Sequence, residues 1–171
     1  MRIPVRTRVR TSRGFSIIEL LIVVAIILII AAIAVPKLLQ ARLSATEAAA
    51  VASVRTITTA EVGYLTAYPS VGYAAQLSDL GTGGATPCVP LPTSACLIDD
   101  SLATASAAPG KGGYIYTATG SLGTFLVTAV PVSNTGGARS FCEVADNIPR
   151  VNLAGTAISN AAACAGLPSL N

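Results

Sequence analysis

A run of 21 residues from Phe15 to Val35, FSIIELLIVVAIILIIAAIAV, contains a single ionisable side chain, Glu19. As an α-helix it spans about 31 Å, close to the roughly 30 Å hydrocarbon core of a bilayer. A helix that is apolar on every side must be covered by lipid or by other helices, so this run limits the fold more than any other feature. Arg2, Arg6, Arg8, Arg10 and Arg13 precede it with no acid among them. That asymmetry predicts a single-pass segment with its N-terminus inside and everything beyond Pro36 outside.

The net charge of +3 at pH 7 hides this uneven distribution. Residues 1–14 contribute all five of those arginines, and the remainder holds six bases against eight acids. The basic character therefore belongs to the first residues and gives no support to a nucleic-acid-binding body, and the basic leader is not expected to bind nucleic acid. Only 11% of the 171 residues are charged and 52% are hydrophobic, against roughly 25% charged in ordinary soluble domains. The chain has no histidine. This excludes Ser-His-Asp and Cys-His catalysis and removes the commonest zinc ligand. The chain is not read as an enzyme, and no cofactor or metal is expected.

Two plain readings of the apolar run compete. A cleaved secretory signal would use Ala32-Ile33-Ala34 as its processing site, although such apolar regions normally span 7–15 residues. A simple membrane anchor accounts for the length but leaves Glu19 unexplained. A carboxylate near the centre of a membrane helix costs roughly 2.5–3.5 kcal/mol, and such groups are usually retained for a partner. No base lies three or four residues from Glu19 in its own helix. Its partner is then another chain, a free amine, or interfacial water reached by snorkelling.

Arg13-Gly14-Phe15-Ser16-Ile17-Ile18-Glu19 narrows these choices. With the apolar run it resembles the class III signal of type IV pilins and pseudopilins over some thirty residues, RGFSIIELLIVVAIILIIAAIAVPKLLQAR. The resemblance implies cleavage after Gly14 by a prepilin peptidase, which also methylates the new N-terminal Phe15. It implies that Glu19 serves assembly and that the long helix bends at Pro36. It further implies three kinds of partner: the peptidase/methyltransferase, an assembly platform in the inner membrane, and other copies of the chain in an extracellular filament. An amine on Phe15 paired with Glu19 of a neighbour would be favourable in low dielectric only with both members present, which enforces axial register.

Helical composition continues beyond Pro36, with Leu39, Leu43, Ala50, Val54, Ile57, Tyr64 and Tyr68 at helical spacing. Arg42, Glu47, Arg55 and Glu61 read as charges dispersed between them. Pro69 and Gly72 supply the stop, giving a helix over 15–68 whose part at 15–35 is the transmembrane or filament-core segment. Residues 69–112, rich in Gly, Pro, Ser and Thr, read as a connecting region with a short helix at 97–103. Asp99 and Asp100 read as a solvated helix start rather than calcium ligands.

Residues 113–171 read as an antiparallel β-sheet head with a C-terminal tail. Strands at 113–119 and 124–130 form a hairpin, followed by strands at 139–144 and 148–153. The expected fold class is α+β: a long N-terminal helix packed on a small antiparallel sheet, the arrangement that also resembles a type IVa pilin. Cys88, Cys96, Cys142 and Cys164 in an oxidising compartment admit three pairings. Closing the smaller loops favours Cys88–Cys96 and Cys142–Cys164.

Three functional readings follow. The first is a pilin used for attachment, motility or DNA uptake, as either a major or a minor subunit. The second is a pseudopilin of a type II secretion system. The third is a membrane-anchored extracytoplasmic binding module. A conducting filament is set aside, because the chain has eight aromatics and no C-x-x-C-H haem motif.

Overall fold

The computed structural model describes residues 14–133 and 136–170. The arginines of the basic leader lie outside them. The chain divides into two compact units at Leu39. In the first, residues 14–39 carry the start of α1, a 51-residue helix over Ile17–Ala67 with Pro36 inside it. Tyr68 continues the ladder, its N–H reaching the Tyr64 carbonyl at 2.8 Å. Pro69 has no N–H to continue it further.

The second unit contains the rest of α1 and the head. After a 3-10 turn at Leu77–Leu80 comes α2, a single turn over Asp100–Ala103. Strands β1 (Tyr114–Gly120), β2 (Phe125–Pro131), β3 (Ser140–Val144) and β4 (Arg150–Asn152) follow, and then α3 (Ala161–Ala165). The sheet is an antiparallel meander in the order β1-β2-β3-β4. Its register places Tyr116 opposite Ala129, Ala129 opposite Phe141, and Phe141 opposite Val151. The fold is α+β, a long N-terminal helix with a small four-stranded sheet.

Because side chains alternate across a sheet, each face builds its own core. Tyr114, Tyr116, Ala118, Phe125, Val127, Ala129, Phe141 and Val151 share one cluster with Ala50, Val54, Ile57, Ala60 and Tyr64 of α1. The opposite face gathers Leu126, Cys142, Val144, Ile158 and Cys164 into a second, smaller cluster. Disulfides join Cys88 to Cys96 across eight residues and Cys142 to Cys164 across twenty-two. The second binds α3 to the face of β3 that points away from α1. Both open edges of the meander are covered by backbone. Tyr116 N donates to Ala105 O beside β1, and Val151 N donates to Pro168 O beside β4. Covering the edges in this way blocks uncontrolled strand pairing.

The buried stripe of α1 differs from the expected one in an instructive way. Its members are Glu47, Ala50, Val54, Ile57, Thr58, Ala60, Glu61 and Tyr64. Two carboxylates therefore lie on the core-facing side rather than between its apolar residues. Leu39, by contrast, is 56% exposed. Beyond α1, the chain turns at Gly72 with φ +93°. A Cβ there would fall 2.7 Å from the Leu122 backbone in the β1–β2 turn. That close approach lets Tyr73 N donate to Ser121 O at 3.1 Å and delivers Ala74 to α1. Gly72→Ala is expected to cost about 1–3 kcal/mol through backbone strain and displacement of the β1–β2 turn. Urea denaturation of the full-length protein in mild detergent measures it, and an unchanged midpoint would refute the account.

Candidate processing and assembly segment

Gly14 and Phe15 precede the first turn of α1 in non-helical backbone, and both are exposed. A Cβ added at Gly14 meets nothing within 4 Å. Among the described residues no contact requires glycine at that position. Phe15 is 73% exposed. Ser16 accepts the Leu20 N–H at 3.2 Å, which starts the helical ladder.

Glu19 lies in the first turn of α1. A carboxylate there interacts favourably with the unpaired N–H groups of the helix N-terminus. Among the described residues no cation is paired with Glu19. The side chains that follow point in every direction and find no cover: Leu20, Ile22, Ile26, Ile29, Ile30 and Ile33 are all more than half exposed. Ile17–Ala67 contains a window long and apolar enough to cross a membrane, and none of that window is buried within the protein. Burying a large aliphatic side chain contributes roughly 1.5–3 kcal/mol, so this surface strongly favours lipid or sister helices over water. Pro36 has no N–H for the Ala32 carbonyl, which leaves that acceptor to other partners.

The head adds separate buried carboxylates that the apolar periodicity did not single out. Glu47, 7% exposed, accepts from Ala138 N at 3.1 Å and from Arg139 Nε at 2.9 Å, with Arg139 Nη2 on the same oxygen. Beside it, Thr46 Oγ1 donates to Gly136 O at 2.7 Å. These bonds fasten the loop between β2 and β3 to α1. Burial by itself would raise the Glu47 carboxyl, but the Arg139 and Ala138 hydrogen bonds hold it below the ordinary range. This clamp contributes stability above the unfolded carboxyl's pKa of 4.5 and loses it as pH falls through the lower folded value. Glu47→Ala is expected to cost about 1–3 kcal/mol at neutral pH and less in acid, read as a shift in urea midpoint. A cost that grew in acid would contradict the clamp.

Asp99, Asp100 and Asp146 of the head are also engaged. Asp99 takes hydrogen bonds from Ser101 Oγ and from Lys111 Nζ, the latter at 3.0 Å. Asp100 accepts from Thr82 N at 2.9 Å and from Thr82 Oγ1. The pair expected as a solvated helix start therefore ties α2 to the chain before and after it. Asp146 pairs with Arg150. Among the described residues no group of three or more His, Cys, Asp or Glu side chains could hold a metal ion. The signal for the buried carboxylates was present in the spacing, since 47, 50, 54, 57, 61 and 64 form one helical stripe.

The prokaryotic N-terminal methylation motif, as a family, matches residues 9–35 of the chain. No curated protein and no solved structure gives a significant match.

Proposed function

Because the chain carries the class III signal of type IV pilins and pseudopilins, we infer that it is a structural subunit of a type IV pilus rather than an enzyme. The single observation that carries this reading is a G-F-x-x-x-E motif leading directly into a long apolar helix with no cover within the protein. The prepilin peptidase cuts between Gly14 and Phe15 on the cytoplasmic side and methylates the Phe15 amine. Residues 15–35 then hold the subunit in the inner membrane, with the head outside, until an assembly platform transfers it into the filament. There the same apolar surface packs against sister helices. The Phe15 amine of one copy meets Glu19 of its neighbour, and the helix bends at Pro36. The filament serves attachment, motility or DNA uptake.

A pseudopilin of a type II secretion system shares the same signal and is the second reading. The pilus is favoured by the two cystines in the head and by acids already committed to Lys111, Ser101 and Thr82 rather than free for calcium.

Mass spectrometry of the protein from membranes tests the processing step. The expected N-terminus is Phe15 carrying one added methyl group, in a chain that retains Ala34. An N-terminus at Val35 would establish an ordinary secretory signal and overturn the reading. Replacing Gly14 with progressively larger residues is expected to accumulate uncut precursor, with Gly14→Ala the mildest. Electron microscopy of sheared surface material, with mass spectrometry of its main band, separates a surface pilus from a secretion pseudopilus.

A further inference from the structure

We propose that Glu61 is a proton-operated latch: while neutral it stays buried beneath the segment that follows α1, and on ionising its demand for water opens that segment from the helix despite the Ala74 N–H that it accepts. The Glu61 side chain is 0% exposed, and its Oε2 accepts from Ala74 N at 2.8 Å. Its Oε1 is also buried and has no hydrogen-bond partner. One donor satisfies a neutral carboxyl group tolerably, but a buried anion needs several donors or a cation.

Two donors near it in the chain are committed elsewhere. Tyr64, nearly one turn further along α1, donates its hydroxyl to Pro92 O at 2.8 Å. Gln76 Nε2 donates to Asp79 Oδ1 at 3.0 Å. Asp79, in the 3-10 turn at Leu77–Leu80 and only 8% exposed, adds a second carboxylate whose charge opposes ionisation of Glu61. No Lys or Arg is paired with Glu61 among the described residues. Burial is the largest influence on the group; the Ala74 N–H works against it and Asp79 adds to it, so that Glu61 is pushed up to about 7.

The segment that the latch holds is an integral part of the core. Ala74, Leu77 and Leu80 are all at most 2% exposed and pack in the cluster shared by α1 and the sheet. Asp79 O accepts Ala95 N at 2.7 Å, and Leu80 O accepts Leu97 N and Ile98 N. Release of Ala74 therefore loosens the strip from 73 to 80 together with the chain that leads to α2. The folded group binds its proton more tightly than the unfolded one, whose value is 4.5. The latch is thus fully closed below that value and is lost as pH rises through about 7. This holds for the head whether or not the chain forms a filament.

The test uses full-length protein in detergent micelles with carbon-13 glutamate, followed by NMR from about pH 4 to about pH 9. One glutamate resonance is expected to titrate with a midpoint near 7 and to be absent from Glu61→Gln. Exchange of the Ala74 amide, corrected for its intrinsic pH dependence, is expected to rise roughly a hundredfold across that range in wild type and to stay level in Glu61→Gln. Asp79→Asn is expected to lower the midpoint. A wild-type Glu61 that titrates in the ordinary carboxylate range overturns the latch, and so does corrected exchange that still rises in Glu61→Gln. Should Glu61→Gln fail to fold, corrected Ala74 exchange in wild type that stays level across that range overturns the latch.

Discussion

Glu19→Ala is expected to leave membrane insertion intact and to abolish filaments. Removing a carboxylate from an apolar helix relieves a cost of up to about 3 kcal/mol, so the protein should enter the membrane as well as wild type or better. The head should also be unaffected, because among the described residues nothing in it is paired with Glu19. Under the proposed function, assembly then buries the Phe15 amine of a neighbour without its counter-charge. An unpaired buried charge costs roughly 3–5 kcal/mol, a penalty that recurs with every subunit added. Glu19→Gln keeps the shape and the hydrogen bonding without the charge, and is expected to assemble poorly as well. The experiment expresses each variant in cells lacking the wild-type gene and compares the membrane-bound and sheared fractions. Normal filament yield from Glu19→Ala would show that the carboxylate only snorkels to the interface or caps the first turn of α1.

The second large effect concerns Cys142–Cys164. Both residues are 0% exposed and belong to the smaller cluster with Leu126, Val144 and Ile158. The bridge closes the longer of the two disulfide loops, with a sequence separation of twenty-two against eight for Cys88–Cys96. Replacing both Cys142 and Cys164 with alanine is expected to cost about 2–4 kcal/mol by restoring freedom to the unfolded chain. Lost sulfur packing adds to that, because α3 then has only a few apolar contacts with the sheet. Removing Cys88 and Cys96, which are only half-buried, is expected to cost less. Urea denaturation of the oxidised full-length protein in mild detergent provides the comparison. Equal or greater loss from the Cys88/Cys96 pair would show that the smaller cluster stands without its disulfide.

Much of this protein is legible from local pattern. The apolar run and its one carboxylate announce α1, and turn residues at 120–123 mark the hairpin that becomes β1 and β2. Those features depend on short-range preferences and on period, which a single sequence displays directly. The strand boundaries move by one or two residues, as chain ends do when backbone geometry decides the last pair. Glu47, Glu61 and Glu143 were harder to read, because a charged residue ordinarily marks the solvent side of a helix or strand. Each is instead buried. Glu47 is held by groups ninety-odd residues away and Glu61 by one thirteen residues away.

The sequence by itself determined the segment that meets the membrane: the glycine before Phe15, the apolar helix, and the carboxylate in its first turn. Their meaning lies in composition and spacing along one helix, and no fold is needed to bring them together. Tertiary structure alone decided which acids in the head are clamps, that Glu61 and Glu143 are each buried with an unsatisfied oxygen, and which face of the sheet α3 covers. Burial and hydrogen-bond supply depend on what the chain brings back from far away, and local pattern carries no record of that. Glu47 and Glu61 occupy equivalent positions on one stripe of α1. Arg139 and Ala138 arrive at the first, whereas only the Ala74 N–H reaches the second.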